Sequence, residues 1–91
     1  MEKEYIVRTK SGSHYKVECK KGLVGKEKVT LQKIGSKDKF LVVGSGNTRR
    51  LIDAKRATHK NLKEGKLLFF GDTTSNIHST SRVVKVFKEA A

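Results

Sequence analysis

Hydrophobic residues recur along this chain in two rhythms. Tyr15-Lys16-Val17-Glu18-Cys19 and Val29-Thr30-Leu31-Gln32 alternate apolar with polar positions at period two, the pattern of a strand with one buried face. Phe40-Leu41-Val42-Val43 and Leu67-Leu68-Phe69-Phe70 are unbroken apolar runs, short enough to be strands buried on both faces. Glycines stand where the runs stop and proline is absent, so the glycines read as turns. Tyr5-Ile6-Val7-Arg8, the turn Ser11-Gly12-Ser13 and the Tyr15 run predict a first hairpin, with Tyr5 and Tyr15 facing each other across it. Val29 to Gln32, Gly35, the polar Ser36-Lys37-Asp38 and the Phe40 run predict a second.

Each unbroken run is followed by a glycine and then by a similar spacing of residues. Gly44 to Leu51, Asp53 and Arg56 in the first match Gly71 to Ile77, Ser79 and Arg82 in the second. This internal likeness suggests two copies of a strand, turn, strand unit. It bears on residues 48–60, where Leu51, Ile52, Ala54 and Ala57 would also suit a short helix capped by Asn47 or Thr48. The matching segment, Asn76 to Phe87, is rich in Ser, Thr and Val, and strand is expected for both. The chain therefore reads as an all-β or mainly β single domain over residues 1–91, a small antiparallel meander or barrel of about six to seven strands, with a short helix near 48–60 as the alternative there. Phe40, Phe69, Phe70 and Phe87 are assigned to its core.

Ninety-one residues suffice for one modest core. Cys19 is the single cysteine, which rules out an intramolecular disulfide and suits a reducing, cytoplasmic setting. Met1 to Tyr5 is polar with no apolar run behind it, unlike a secretory leader, and no stretch has the length of a membrane span. His14, His59 and His78 lie far apart and show no zinc-site spacing, so each reads as a surface histidine. Cys19 falls on the inward side of its alternation with Tyr15 and Val17, as a buried thiol. Gly44-Ser45-Gly46-Asn47 lacks the lysine spacing of a phosphate loop and reads as a hairpin turn. With the nine acids scattered, the expectation is a non-enzymatic protein without catalytic residues, metal or cofactor.

Charge is what departs from the ordinary. Twenty-one Lys and Arg against nine acids give +12, and residues 20–66 hold fourteen basic and four acidic residues, a net of +10. An excess of this size concentrates anions around the protein. Two clusters carry it: Lys20, Lys21, Lys26 and Lys28 in a glycine-punctuated stretch, then Arg49, Arg50, Lys55, Arg56, Lys60 and Lys63. Lysine ammoniums suit sequence-blind phosphate contacts, whereas arginine's planar fork holds a phosphate or guanine edge with two hydrogen bonds and stacks on bases. Arg49, Arg50 and Arg56 are the first candidates, although neighbours on a regular strand point to opposite faces.

The expected function is polyanion binding, with DNA or RNA as partner, through Lys20, Lys21, Lys26, Lys28, Arg49, Arg50, Lys55, Arg56 and Lys60. It requires both clusters to converge on one face. Two other readings fit the same composition. One is an interaction or inhibitor module, of the kind viruses or mobile elements encode, aimed at an acidic protein surface. The other is a self-assembling structural protein, a homo-oligomer built through an edge strand such as Val29 to Ile34 or Val83 to Phe87. No membrane partner is expected.

Overall fold

The computed structural model describes residues 2–22, 25–71 and 76–89. Its seven strands are β1 (Glu2–Thr9), β2 (His14–Lys21), β3 (Glu27–Lys33), β4 (Lys39–Gly46), β5 (Leu67–Gly71), β6 (Ile77–Ser79) and β7 (Val83–Glu89), and two 3-10 turns, Leu51–Asp53 and His59–Asn61, lie between β4 and β5. All pairings are antiparallel, and the strand order is β6-β5-β4-β3-β2-β1-β7. The mainly β expectation is met. Among the described residues no helix is long and apolar enough to cross a membrane.

The order dictates the shape. β6 and β7 occupy opposite ends of the sheet, which in a flat sheet of seven strands would stand about 29 Å apart. Only residues 80–82 join them in the chain, and four residue steps reach no further than about 14 Å. The open sheet must therefore roll, and hydrogen bonds mark the seam: Thr80 N–H donates to Leu68 O at 2.9 Å, Val83 N–H to Lys66 O at 2.8 Å, and Gly65 N–H to Val83 O at 2.8 Å. The rolled sheet has a radius of gyration of 12.0 Å, matching the roughly 12 Å of a folded domain of this length.

Alternation places the core inside the roll. Tyr5, Val7, Val17, Cys19, Val29, Leu31, Val42, Leu68 and Val83 are buried there, joined by Ala57 and Leu62 from the long connection between β4 and β5. Tyr5 and Tyr15 share this face without standing opposite: Tyr5 pairs with Val17 and Tyr15 with Val7. The turn sets that register. Gly12 (φ +90°) closes a four-residue turn through Gly12 N–H to Thr9 O at 2.9 Å and Thr9 N–H to Ser13 O at 3.0 Å.

Two bulges correct the sequence reading. Val83 pairs with Thr9 while Lys85 pairs with Arg8, so Val84 is an extra residue and the alternation changes phase behind it. Val86 then points inward, and Phe87, expected in the core, lies on the outer face, 44% exposed, with the Lys85 ammonium 4.8 Å from its ring. A second shift falls between Val42 and Gly44 and leaves Val43 outside. Phe40 to Val43 is therefore not buried on both faces: Val42 is covered, but Leu41 is 43% and Val43 37% exposed. Leu67, Leu68 and Phe69 are buried as expected, and Phe70 packs its half-buried ring against Phe40 at 5.3 Å.

The strand expected over residues 48–60 does not form, nor does an α-helix. β3 pairs with β4 only as far as Leu41, and on the edge left beyond it the following segment makes one isolated bridge, Ser45 with Lys55, closed by two hydrogen bonds of 2.8 Å. β5 has a vacant outer edge, which the equivalent segment takes as β6. The two supposed copies therefore differ in structure, and residues 72–75 of the second lie outside the described residues. Gly44-Ser45-Gly46 is likewise no hairpin turn but the end of β4, with the connection lying against its bare backbone. A Cβ at Gly44 would stand 3.0 Å from Lys55 O and 3.2 Å from Ala54 Cβ. Val29 to Ile34 is not an edge either, since β3 lies between β2 and β4, whereas β7 is at one end of the order.

Candidate nucleic-acid interface

The ladder between β3 and β4 is short. Only Thr30, Leu31 and Gln32 pair, with Leu41, Phe40 and Lys39, although β3 begins at Glu27 and β4 runs on to Gly46. Beyond these pairs the strands part, and the long connection enters the gap from the Ser45–Lys55 bridge. The result is a split in the wall of the roll, a groove of about 430 Å³. Its lining is Val29, Leu41, Val42, Val43 and Ala57 with Lys26, Glu27, Lys28 and Arg56.

Arg56 is brought there by its neighbours. Lys55 is held to Ser45 on one side, and Ala57 is buried in the core on the other. Asn61 Nδ2 donates to the Arg56 carbonyl at 2.5 Å, and Glu27 at the start of β3 ties down the second 3-10 turn. Glu27 Oε2 accepts from the His59 N–H at 2.8 Å and Oε1 meets His59 Nδ1. Burial alone would raise the Glu27 carboxyl, but the backbone and ring nitrogens of His59 outweigh it and hold the group below its usual value. His59 is thus half-buried and anchored rather than a plain surface histidine.

Glu27 also walls a second depression, at the open end of the roll, of about 320 Å³, lined by Lys3, Cys19, Lys21, Gly25, His59 and Lys60. Burial, with the Glu27 charge, pushes the Cys19 thiol up to about 11, so it is protonated and unreactive near neutrality. On the other side Lys28 is shared with a third depression on the outer face, where Glu18, Lys20, Thr30 and Lys39 meet. Glu18 there lies 3.6 Å from Lys16 Nζ and 3.9 Å from Lys39 Nζ.

The three depressions form one strip, from the open end of the roll, through the split, onto the outer face. Six of the nine expected residues line it: Lys20, Lys21, Lys26, Lys28, Arg56 and Lys60. None of Lys21, Lys26, Lys28, Arg56 and Lys60 is held in an ion pair among the described residues. Lys3 and Lys39 join them unforeseen, and the hairpin registers, Lys3 with Cys19 and Lys39 with Gln32, are what would have disclosed them. Lys55 stands apart, in a polar recess of about 200 Å³ with Asn47, Asp53, Lys63 and Lys66. Arg49 and Arg50 are not brought to the strip. They lie exposed ahead of the first 3-10 turn, off any strand, so strand alternation does not govern them. No cluster of three or more His, Cys, Asp or Glu fit to hold a metal occurs among the described residues.

Comparison with family models, curated proteins and solved structures returns no match.

Proposed function

We propose that the protein binds nucleic acid through this basic strip, without catalysing a reaction. The observation that supports it is the convergence of the two basic clusters: Lys26 and Lys28 from before and within β3, and Arg56 from the long connection, line one groove. Residues thirty apart in sequence meet there, and Lys21 and Lys60 meet again in the adjoining depression. The two carboxylates on the strip, Glu18 and Glu27, are each engaged by cationic or N–H partners, which leaves Lys21, Lys26, Lys28, Lys60 and Arg56 to dominate the local field.

Titration of labelled DNA and RNA oligonucleotides against the protein over 50 to 300 mM salt tests this. A polyanion held by about five cations has a log-log salt slope of roughly −3.5 to −4.5. Affinity that is weak at all salts, or indifferent to salt, contradicts the proposal. A partner that survives nuclease treatment of a lysate while naked nucleic acid fails to bind would place the strip against an acidic protein surface instead.

A further inference from the structure

The split between β3 and β4 combines two chemistries. Leu41 and Val43 expose aliphatic carbon to solvent, and three cationic residues, Lys26, Lys28 and Arg56, line the same groove. An apolar floor with a cationic rim matches a ligand that joins anionic groups to flat, weakly polar faces. Resting on the nucleic-acid reading above, we infer that the split receives an unstacked base, so that the ligand is single-stranded nucleic acid.

A duplex offers this site only half of what it can use. Its phosphates reach the rim, but its base faces are stacked on one another and cannot cover Leu41 and Val43. In a single strand a base can turn into the split, lie on the two aliphatic side chains and stack against the Arg56 plane, with the flanking phosphates on Lys26 and Lys28. The groove, about 430 Å³, falls within the roughly 300–1,000 Å³ of small-ligand clefts.

An added peptide strand fits less well. Along the β3-facing side of β4, only residues 42–44 lie between the last ladder pair and the Ser45–Lys55 bridge, too short an edge for strand addition. Glu27, the one carboxylate on the wall, has both oxygens on His59 and does not bar a phosphate from the rim.

The test is a competition at 150 mM salt between a mixed-sequence 20-mer, the same 20-mer annealed to its complement, and an abasic strand of equal length. The wild-type protein is compared with Leu41→Ser/Val43→Ser. The single strand should bind about tenfold more tightly than the duplex, a preference at the low end for base stacking because no aromatic ring lines the split. The double substitution should remove most of that preference, leaving duplex affinity and the salt slope unchanged because no charge is lost. The abasic strand should bind the wild-type protein no better than the duplex, a readout independent of how any variant folds. Equal affinity for single strand and duplex, or an abasic strand as good as the intact one, overturns the inference while the nucleic-acid reading stands. If no form binds and polyglutamate does, both fall.

Discussion

β4 and β5 carry nearly interchangeable sequences, Phe40-Leu41-Val42-Val43 and Leu67-Leu68-Phe69-Phe70, and lie side by side in one sheet, yet they are enclosed to different extents. Leu67, Leu68 and Phe69 in β5 are buried, whereas β4 buries Val42 and leaves Leu41 and Val43 facing the split. Leu41, in the last ladder pair with Thr30, and Val43 both alternate outward from buried Val42, beside the point where the ladder with β3 runs out. An apolar run is thus a statement about available surface. Whether that surface stabilises the fold or awaits a ligand is settled by what the neighbouring strands cover.

The sharpest stability contrast should come from Leu68, fully buried between its neighbours. Leu68→Ala should cost about 2–5 kcal/mol in urea-induced unfolding, by lost burial and the cavity left behind. A loss below about 1 kcal/mol would mean that β5 is no more enclosed than β4.

Next in size is the Glu27–His59 anchor beside the split. Glu27→Gln should destabilise the protein by about 1–2 kcal/mol at neutral pH, since a charge-assisted hydrogen bond to the His59 N–H becomes a neutral one. The folded-state carboxyl is depressed, so its contribution is present above the unfolded glutamate value of about 4.3 and fades as pH falls through the lower folded value. The gap between wild type and Glu27→Gln should therefore narrow in melts taken below about pH 4. A gap that widens with acid would reverse the assigned sign.

Smallest of all should be Leu41→Ser, under about 1 kcal/mol, because nearly half of the side chain is already in water. Should it destabilise as much as Leu68→Ala, the comparison breaks down and Leu41 belongs to the core.

Local patterns made the strands readable and left their relations hidden. Val17, Cys19, Val29 and Leu31 fall on the inner face because alternation is a property of the backbone itself. Phe87 escaped because a one-residue bulge inverts the phase and writes no signal into composition, and Leu41 and Val43 because an apolar run does not say which of its two faces is covered. The stretch 48–60 reads as strand only through its likeness to Asn76 to Phe87, and such a likeness is blind to the edge each segment meets: β6 finds the outer edge of β5, whereas on β4 beyond its ladder with β3 only the Ser45–Lys55 bridge forms. The same limit applies to the candidate interface. Two basic clusters were legible as charge, but that Arg56 would meet Lys26 and Lys28 while Arg49 and Arg50 would not depends on the Ser45–Lys55 bridge and the Glu27–His59 contact, pairings between distant segments.

In the proposed interface, position on the strip rather than net charge makes the binding surface, and two variants that remove the same charge separate these directly. Lys26→Ala/Lys28→Ala/Arg56→Ala and Arg49→Ala/Arg50→Ala/Lys55→Ala each take three positive charges from the chain. Titrated against one single-stranded oligonucleotide across a salt series, the first should lower affinity at least tenfold and flatten the log-log slope by about 2, while the second should change the slope by less than about 1. Equal losses from both triples would contradict a localised interface and reduce the strip to one part of a general basic field.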